Sequence, residues 1–226
     1  WWGALVGKVV IATYVPLTAL ALFTCGRRFI STTAGVVAAL VFVSIPWMAH
    51  VSIATYVDGA LACNLFLALY AAMLAIPKLT SQQDHARPQA VAATKNYGAI
   101  ALAGFLAGAA VSCKYPGLLF VVSPLMVVFA CAGGLQQCLS RAALARLGVF
   151  LAAVLIGCGL WFAKNWAMAG NPTYPLLYGL FGGETRTPEK DAQWTSAHAV
   201  PRDAAGRRYG LGQIANEGKR ISLGNE

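Results

Sequence analysis

Residues 53–76 read IATYVDGALACNLFLALYAAMLAI. An acid, Asp58, stands at the head of an apolar run long enough for a bilayer helix, for which about 20 residues is the usual length. Charge in such a setting is unfavourable, by roughly 2.5–3.5 kcal/mol at a helix centre and less near an end. Asp58 and Asp84 are the only carboxylates before residue 184. Asp84 belongs to a polar connector, 78–96, rich in Gln, Asp, His, Arg and Pro. Asp58 has no such setting, so it needs a partner or a task. The alternative of a plain helix cap, set against the positive end of the helix it opens, is compatible with either.

Working outward, the chain is 58% hydrophobic and 11% charged, with mean hydropathy +0.62. A soluble domain carries about 25% charged residues. The expectation is an all-α, polytopic transmembrane bundle of about six spans, near 4–25, 33–49, 58–77, 97–113, 116–133 and 147–166. Lipid leaves backbone polar groups no outside partner, and these runs lack the alternation of barrel strands, so helices are required. Pro16 and Pro124 are expected to kink their helices, and Ser31 to cap the second. Gly104 and Gly108 form a GxxxG spacing that lets a neighbouring helix approach. The chain begins at Trp1 with no basic region before its first apolar run, so it reads as a piece of a larger membrane protein without a cleavable leader.

Net charge is +9, but its distribution matters more. Arg27, Arg28, Lys78, Arg87, Lys95, Arg141 and Arg146 fall in the breaks at 26–32, 78–96 and 134–146, which alternation assigns to one face. Lys8, Lys114 and Lys164 lie at span ends on the other. Short basic loops mark the cytoplasmic side, so the second face and the C-terminal segment are extracytoplasmic. The basic residues flank apolar spans, which argues against a nucleic-acid partner. Six cysteines show no CxxC spacing and no framework, and read as small buried hydrophobes rather than disulfides or metal ligands. One acid with no clustered His or Cys gives a divalent metal no support.

The outer face gathers Lys8, His50, Tyr56, Asp58, Lys114, Tyr115, Lys164, Asn165, Asn171 and Tyr174. Three lysines beside an acid, hydroxyls and amides suit an anionic headgroup, because an ammonium offers three donors to phosphate oxygens. Each also has an ordinary reading. Lys8 and Lys164 can be interfacial anchors, His50 a structural residue, and Lys114 a break before Pro116. Residues 161–183, WFAKNWAMAGNPTYPLLYGLFGG, are the least generic stretch and read as an ordered re-entrant or interfacial loop turning at Gly170, Asn171 and Pro172.

Three segments, 38–62 (AALVFVSIPWMAHVSIATYVDGALA), 104–120 (GFLAGAAVSCKYPGLLF) and 161–183, taken in order, resemble the GT-C glycosyltransferases, among them the protein O-mannosyltransferases and the lipid A aminoarabinose transferase. The resemblance covers about residues 1–183. It implies an inverting enzyme of the bacterial inner membrane that moves a sugar from a polyprenyl-phosphate donor to an acceptor hydroxyl. A carboxylate would activate the acceptor and cations would stabilise the departing phosphate. In the family the principal acid lies between the first and second spans. This chain resembles the family from the second span onward, so Asp58 would be an auxiliary acid. Lys8, Tyr56, Lys114, Tyr115, Lys164, Asn165, Asn171 and Tyr174 would bind substrate and donor phosphate beside membrane lipid.

Composition changes at Glu184, which divides a bundle of 1–183 from a polar membrane-surface segment of 184–226. Thr187 and Pro188 read as a helix start. Residues 210–215 mimic a dinucleotide fingerprint without the strand it requires. A transporter or flippase for a lipid-linked or anionic substrate is the alternative function, and a non-catalytic scaffold a third.

Overall fold

The computed structural model describes residues 2–54, 56–76, 96–183, 186–200, 202 and 206–223. Most of the 78–96 connector, with Lys78, Asp84, Arg87 and Lys95, and the compositional boundary at Glu184 lie outside them. The described residues are mostly helical and form no strand; Arg202 and Arg208 make an isolated bridge. The helices are α1 (Trp2–Phe29), α2 (Thr32–Ser44), α3 (Pro46–Ile53), α4 (Asp58–Ala75), α5 (Tyr97–Cys113), α6 (Ser123–Cys131), α7 (Arg141–Ala169), α8 (Tyr178–Phe181), α9 (Pro188–Ala197) and α10 (Leu211–Leu223).

Local chemistry sets their ends. The Ser31 hydroxyl accepts the Ala34 N–H at 3.1 Å and opens α2, as its sequence leads one to expect. Pro46 occupies the first turn of α3 and bends it 63° from α2. Asn96 caps α5 through the Ala99 N–H at 3.1 Å. Pro124 has no N–H for the carbonyl one turn back, and the backbone just before it, Leu118–Val122, widens into a π turn. The Ser123 hydroxyl donates to the Leu118 carbonyl there at 2.9 Å.

Among the described residues, three helical stretches are long and apolar enough to cross a membrane: Leu5–Phe29, Asp58–Ala75 and Arg141–Ala169. The bent α2–α3 pair makes a fourth if it counts as one span. The fourth and fifth of the six apolar runs are the shorter helices Tyr97–Cys113 and Leu118–Cys131. Length and composition thus sustain three or four crossings where about six were expected.

Packing divides the chain into two units, Trp1–Ala163 and Lys164–Glu226. In the first, small residues make up most of the buried faces of α4 and α5. On α4, Gly59, Ala60, Cys63, Ala68, Ala71 and Ala72 are buried, while Leu65 and Leu69 are exposed. On α5, Ala103, Gly104, Ala107, Gly108 and Ala110 are buried, while Leu102 and Phe105 are exposed. Large apolar side chains have no reason to leave lipid, whereas small ones let backbones approach. The GxxxG expectation holds: a methyl group on Gly104 or Gly108 would strike the carbonyl oxygen of Phe150 or Val154, and one on Gly157 that of Phe105. The same contacts run α5 and α7 parallel, with Ser112 reaching the Gly157 carbonyl at 3.4 Å. Polar side chains inside helices close on their own backbone, as Asn64 does on the Ala60 carbonyl at 2.9 Å and Thr18 on the Tyr14 carbonyl at 2.7 Å.

Gly108→Val is expected to destabilise the first unit by about 1–3 kcal/mol, the range for overpacking a close contact. Thermal denaturation of the detergent-solubilised protein measures this; Gly148→Val, at a glycine with open space around it, is expected to move the midpoint far less.

Candidate functional site

Asp58 is the first residue of α4 and Lys114 the residue that ends α5. Lys114 has left helical geometry (φ −152°, ψ 134°), yet its N–H still reaches the Ala110 carbonyl at 3.1 Å. Its own carbonyl accepts the Gly117 N–H at 2.9 Å, closing the turn that Pro116 enforces. The antiparallel packing of α4 on α5 then brings the two side chains together. Lys114 Nζ donates to Asp58 Oδ1 at 2.6 Å. Both side chains remain about half exposed, at 44% and 46%.

Asp58 is therefore not the cap of α4. Val57 holds that position without a side-chain hydrogen bond, and Asp58 sits inside the first turn, where its charge suits the positive helix end. The unfavourable acid of the sequence has a specific partner 56 residues away. An ammonium has three donors and this pair uses one, so the exposed side of Lys114 can still bind an anionic oxygen.

The other residues expected at this site in the first unit are more dispersed. Tyr115, next to Lys114, stacks on Phe162 with ring centroids 6.3 Å apart. Tyr56 is exposed, and its ring lies 6.3 Å from that of His50. His50 in turn lies 4.9 Å from Trp47, which gives the histidine an aromatic packing role. Lys8 is exposed on α1. Among the described residues the close pairing is that of Asp58 with Lys114.

The second unit holds Lys164, Asn165, Asn171 and Tyr174. Lys164 is exposed near the end of α7, while Asn165 is buried and donates to the Pro172 carbonyl at 3.4 Å. Gly170, with φ 66°, ends the helix in a conformation that favours glycine. Asn171 follows, fully buried. Its amide nitrogen donates to the Leu176 and Gly182 carbonyls at 2.9 and 3.1 Å. Its oxygen accepts the Thr173 N–H at 2.9 Å and the Thr173 hydroxyl at 3.0 Å. Those four bonds use all of its capacity, so Asn171 pins the loop and has nothing left for a ligand. Tyr174 is half-buried and joined to Pro175 by a cis peptide. The expectation of an ordered loop holds, and its order comes from Asn171, one of the residues expected to bind substrate.

Arg186, within the polar segment after Glu184, is buried. It pairs with Asp191 at 2.7 Å, donates to the Pro175 carbonyl at 3.1 Å, and lies over the rings of Tyr178 and Trp194 at 5.6 and 5.1 Å. The Tyr178 hydroxyl donates back to its carbonyl at 3.0 Å. These contacts join the loop to the residues after Glu184, so the change in composition there is not a packing boundary. The one sequence signal was Asp191 in the first turn of the following helix. Thr187 caps that helix as expected, accepting the Lys190 N–H at 3.4 Å. The Thr187 hydroxyl also holds the Glu189 carboxyl below its ordinary range.

Among the described residues, no group of three His, Cys, Asp or Glu side chains converges as a metal site would require. Comparison with protein-family models, with curated proteins and with solved structures finds no match to this chain.

Two expectations follow from this geometry. Lys114→Ala is expected to change thermal stability by less than about 1 kcal/mol, since exposed ion pairs contribute little. Asn171→Ala strands buried backbone groups and is expected to destabilise the second unit by about 1–3 kcal/mol. Limited proteolysis across residues 170–183 reads the second effect as faster cleavage.

Proposed function

We propose that this chain is part of a GT-C-type glycosyltransferase with six membrane crossings, formed by α1, the bent α2–α3 pair, α4, α5, the π turn with α6, and α7. In this reading it lies in a bacterial inner membrane and transfers a sugar from a polyprenyl-phosphate donor to an acceptor hydroxyl. The observation that carries the reading is the half-exposed Asp58–Lys114 pair at the joined ends of two apolar helices. It is supported by the order of the three family-like segments.

The chemistry assigns each group a task. The acceptor oxygen attacks the anomeric carbon, the bond from that carbon to the phosphate oxygen breaks, and configuration inverts. Negative charge grows on the departing phosphate, where an N–H of Lys114 stabilises it. The principal carboxylate of the resembled family takes the acceptor proton, from a loop that precedes the family's second span. Asp58 keeps an auxiliary role, holding Lys114 in place, and Tyr56 and Tyr115, close to the pair in sequence, are assigned to sugar or phosphate.

A transporter or flippase for an anionic or lipid-linked substrate is the second reading. The 63° break between α2 and α3 favours it, because discontinuous helices frame transport sites.

The test uses membranes bearing the full-length protein and a labelled polyprenyl-phosphate sugar. Lys114→Ala is expected to lower transfer by about 10²-fold, the loss typical of one transition-state donor. Asp58→Asn is expected to lower it less. Undiminished transfer in both variants removes the phosphate role. Movement of label across the membrane with no covalent product establishes the transport reading instead.

A further inference from the structure

The connection between α6 and α7 places two cysteines side by side. Cys131 is the last residue of α6, and Cys138 follows a single 3₁₀ turn, Leu135–Gln137. Their sulfur atoms are in contact at 2.7 Å, and both residues are partly exposed. The remaining cysteines, Cys25, Cys63, Cys113 and Cys158, lie within apolar helices or at their ends.

The backbone fixes this proximity through several independent bonds. The Gly134 N–H donates to the Cys131 carbonyl at 2.8 Å, and the Gln137 N–H to the Gly134 carbonyl at 3.0 Å. Gly134 takes φ 103°, which turns the chain back on itself. Beyond the turn, the Ser140 hydroxyl caps α7 through the Ala143 N–H at 3.2 Å. Arg146 Nε donates to the Phe129 carbonyl at 2.9 Å, and the Phe129 and Phe150 rings meet at 5.2 Å. Two helices held together on one side of the turn thus deliver the two thiols to each other on the other. The hydrogen bond with Cys131 also raises the Cys138 thiol above its ordinary range.

We propose that Cys131 and Cys138 form a reversible dithiol–disulfide pair that staples the α6–α7 turn, with low-molecular-weight disulfides as the oxidant. One cysteine, as thiolate, attacks a sulfur of the oxidant, breaks its S–S bond and releases one thiolate. The second cysteine then attacks the resulting mixed disulfide and expels the oxidant's other half. The two cysteines lose two electrons and two protons, and the oxidant becomes two thiols. The turn belongs to the basic face that charge distribution assigns to the cytoplasm. A reducing compartment keeps the pair open there, so closure responds to oxidative conditions. The inference rests on the geometry of this turn and is independent of the proposed glycosyl transfer.

The test treats the purified protein in detergent with oxidised glutathione, blocks remaining thiols with N-ethylmaleimide, and maps linkages by mass spectrometry. The expected product is a Cys131–Cys138 link, two hydrogen atoms lighter than the dithiol and restored by dithiothreitol. In Cys138→Ser the expected product is a glutathione adduct on Cys131, and in Cys131→Ser an adduct on Cys138. The proposal is overturned if both thiols of the unaltered protein are alkylated after oxidant. Separate glutathione adducts on each, or a link from either to another cysteine, also overturn it.

Discussion

Close approach of small residues is the constraint on which the first unit depends. Lipid is as apolar as a leucine side chain, so helices gain little by hiding leucine from it. They gain by bringing backbones near enough for dense contact. Gly104 and Gly108 meet the α7 backbone, and Gly157 returns the contact against α5. The alanine faces of α4 and α5 do the same between those helices. Long side chains such as Leu102, Phe105 and Leu65 are left on the outside. Bulky side chains are buried where α6 meets α7, as Phe129 and Phe150 are.

The Asp58–Lys114 pair follows from that packing. Because α4 and α5 lie closely antiparallel, the start of one and the end of the other coincide. A carboxylate at the first and an ammonium at the second meet without either helix bending toward the other. Keeping the charges at helix ends avoids the larger penalty of the bilayer centre. Their partial exposure limits what the pair adds to stability. That combination is specific in geometry and small in stabilising effect, which is why it supports the proposed phosphate role.

The second unit is built on a different principle. Its loop leaves the large apolar side chains of Leu177, Leu180 and Phe181 exposed, and buried polar groups organise it. Asn171 replaces backbone pairing for four groups, and Arg186 is sheltered by an acid, a carbonyl and two aromatic rings. Asn171 satisfies the rule that buried polar groups are paired, whereas Arg186 keeps a buried Nε with no hydrogen-bond partner among the described residues. Asn171 has no hydrogen-bonding capacity left for a ligand.

The sequence by itself determined the helical class, the apolar segments, the caps at Ser31 and Thr187, the glycine contact face and the oddity of Asp58. These are local properties: hydropathy over a window, a hydroxyl three residues before an N–H, a spacing of four. Tertiary structure decided which helix ends meet, and so gave Asp58 its partner in Lys114, because that depends on how α4 and α5 pack. It separated Asn171, whose amide is consumed within its own loop, from residues that can still bind. It buried Arg186 and brought Cys131 against Cys138, since both outcomes require a turn that no spacing rule encodes.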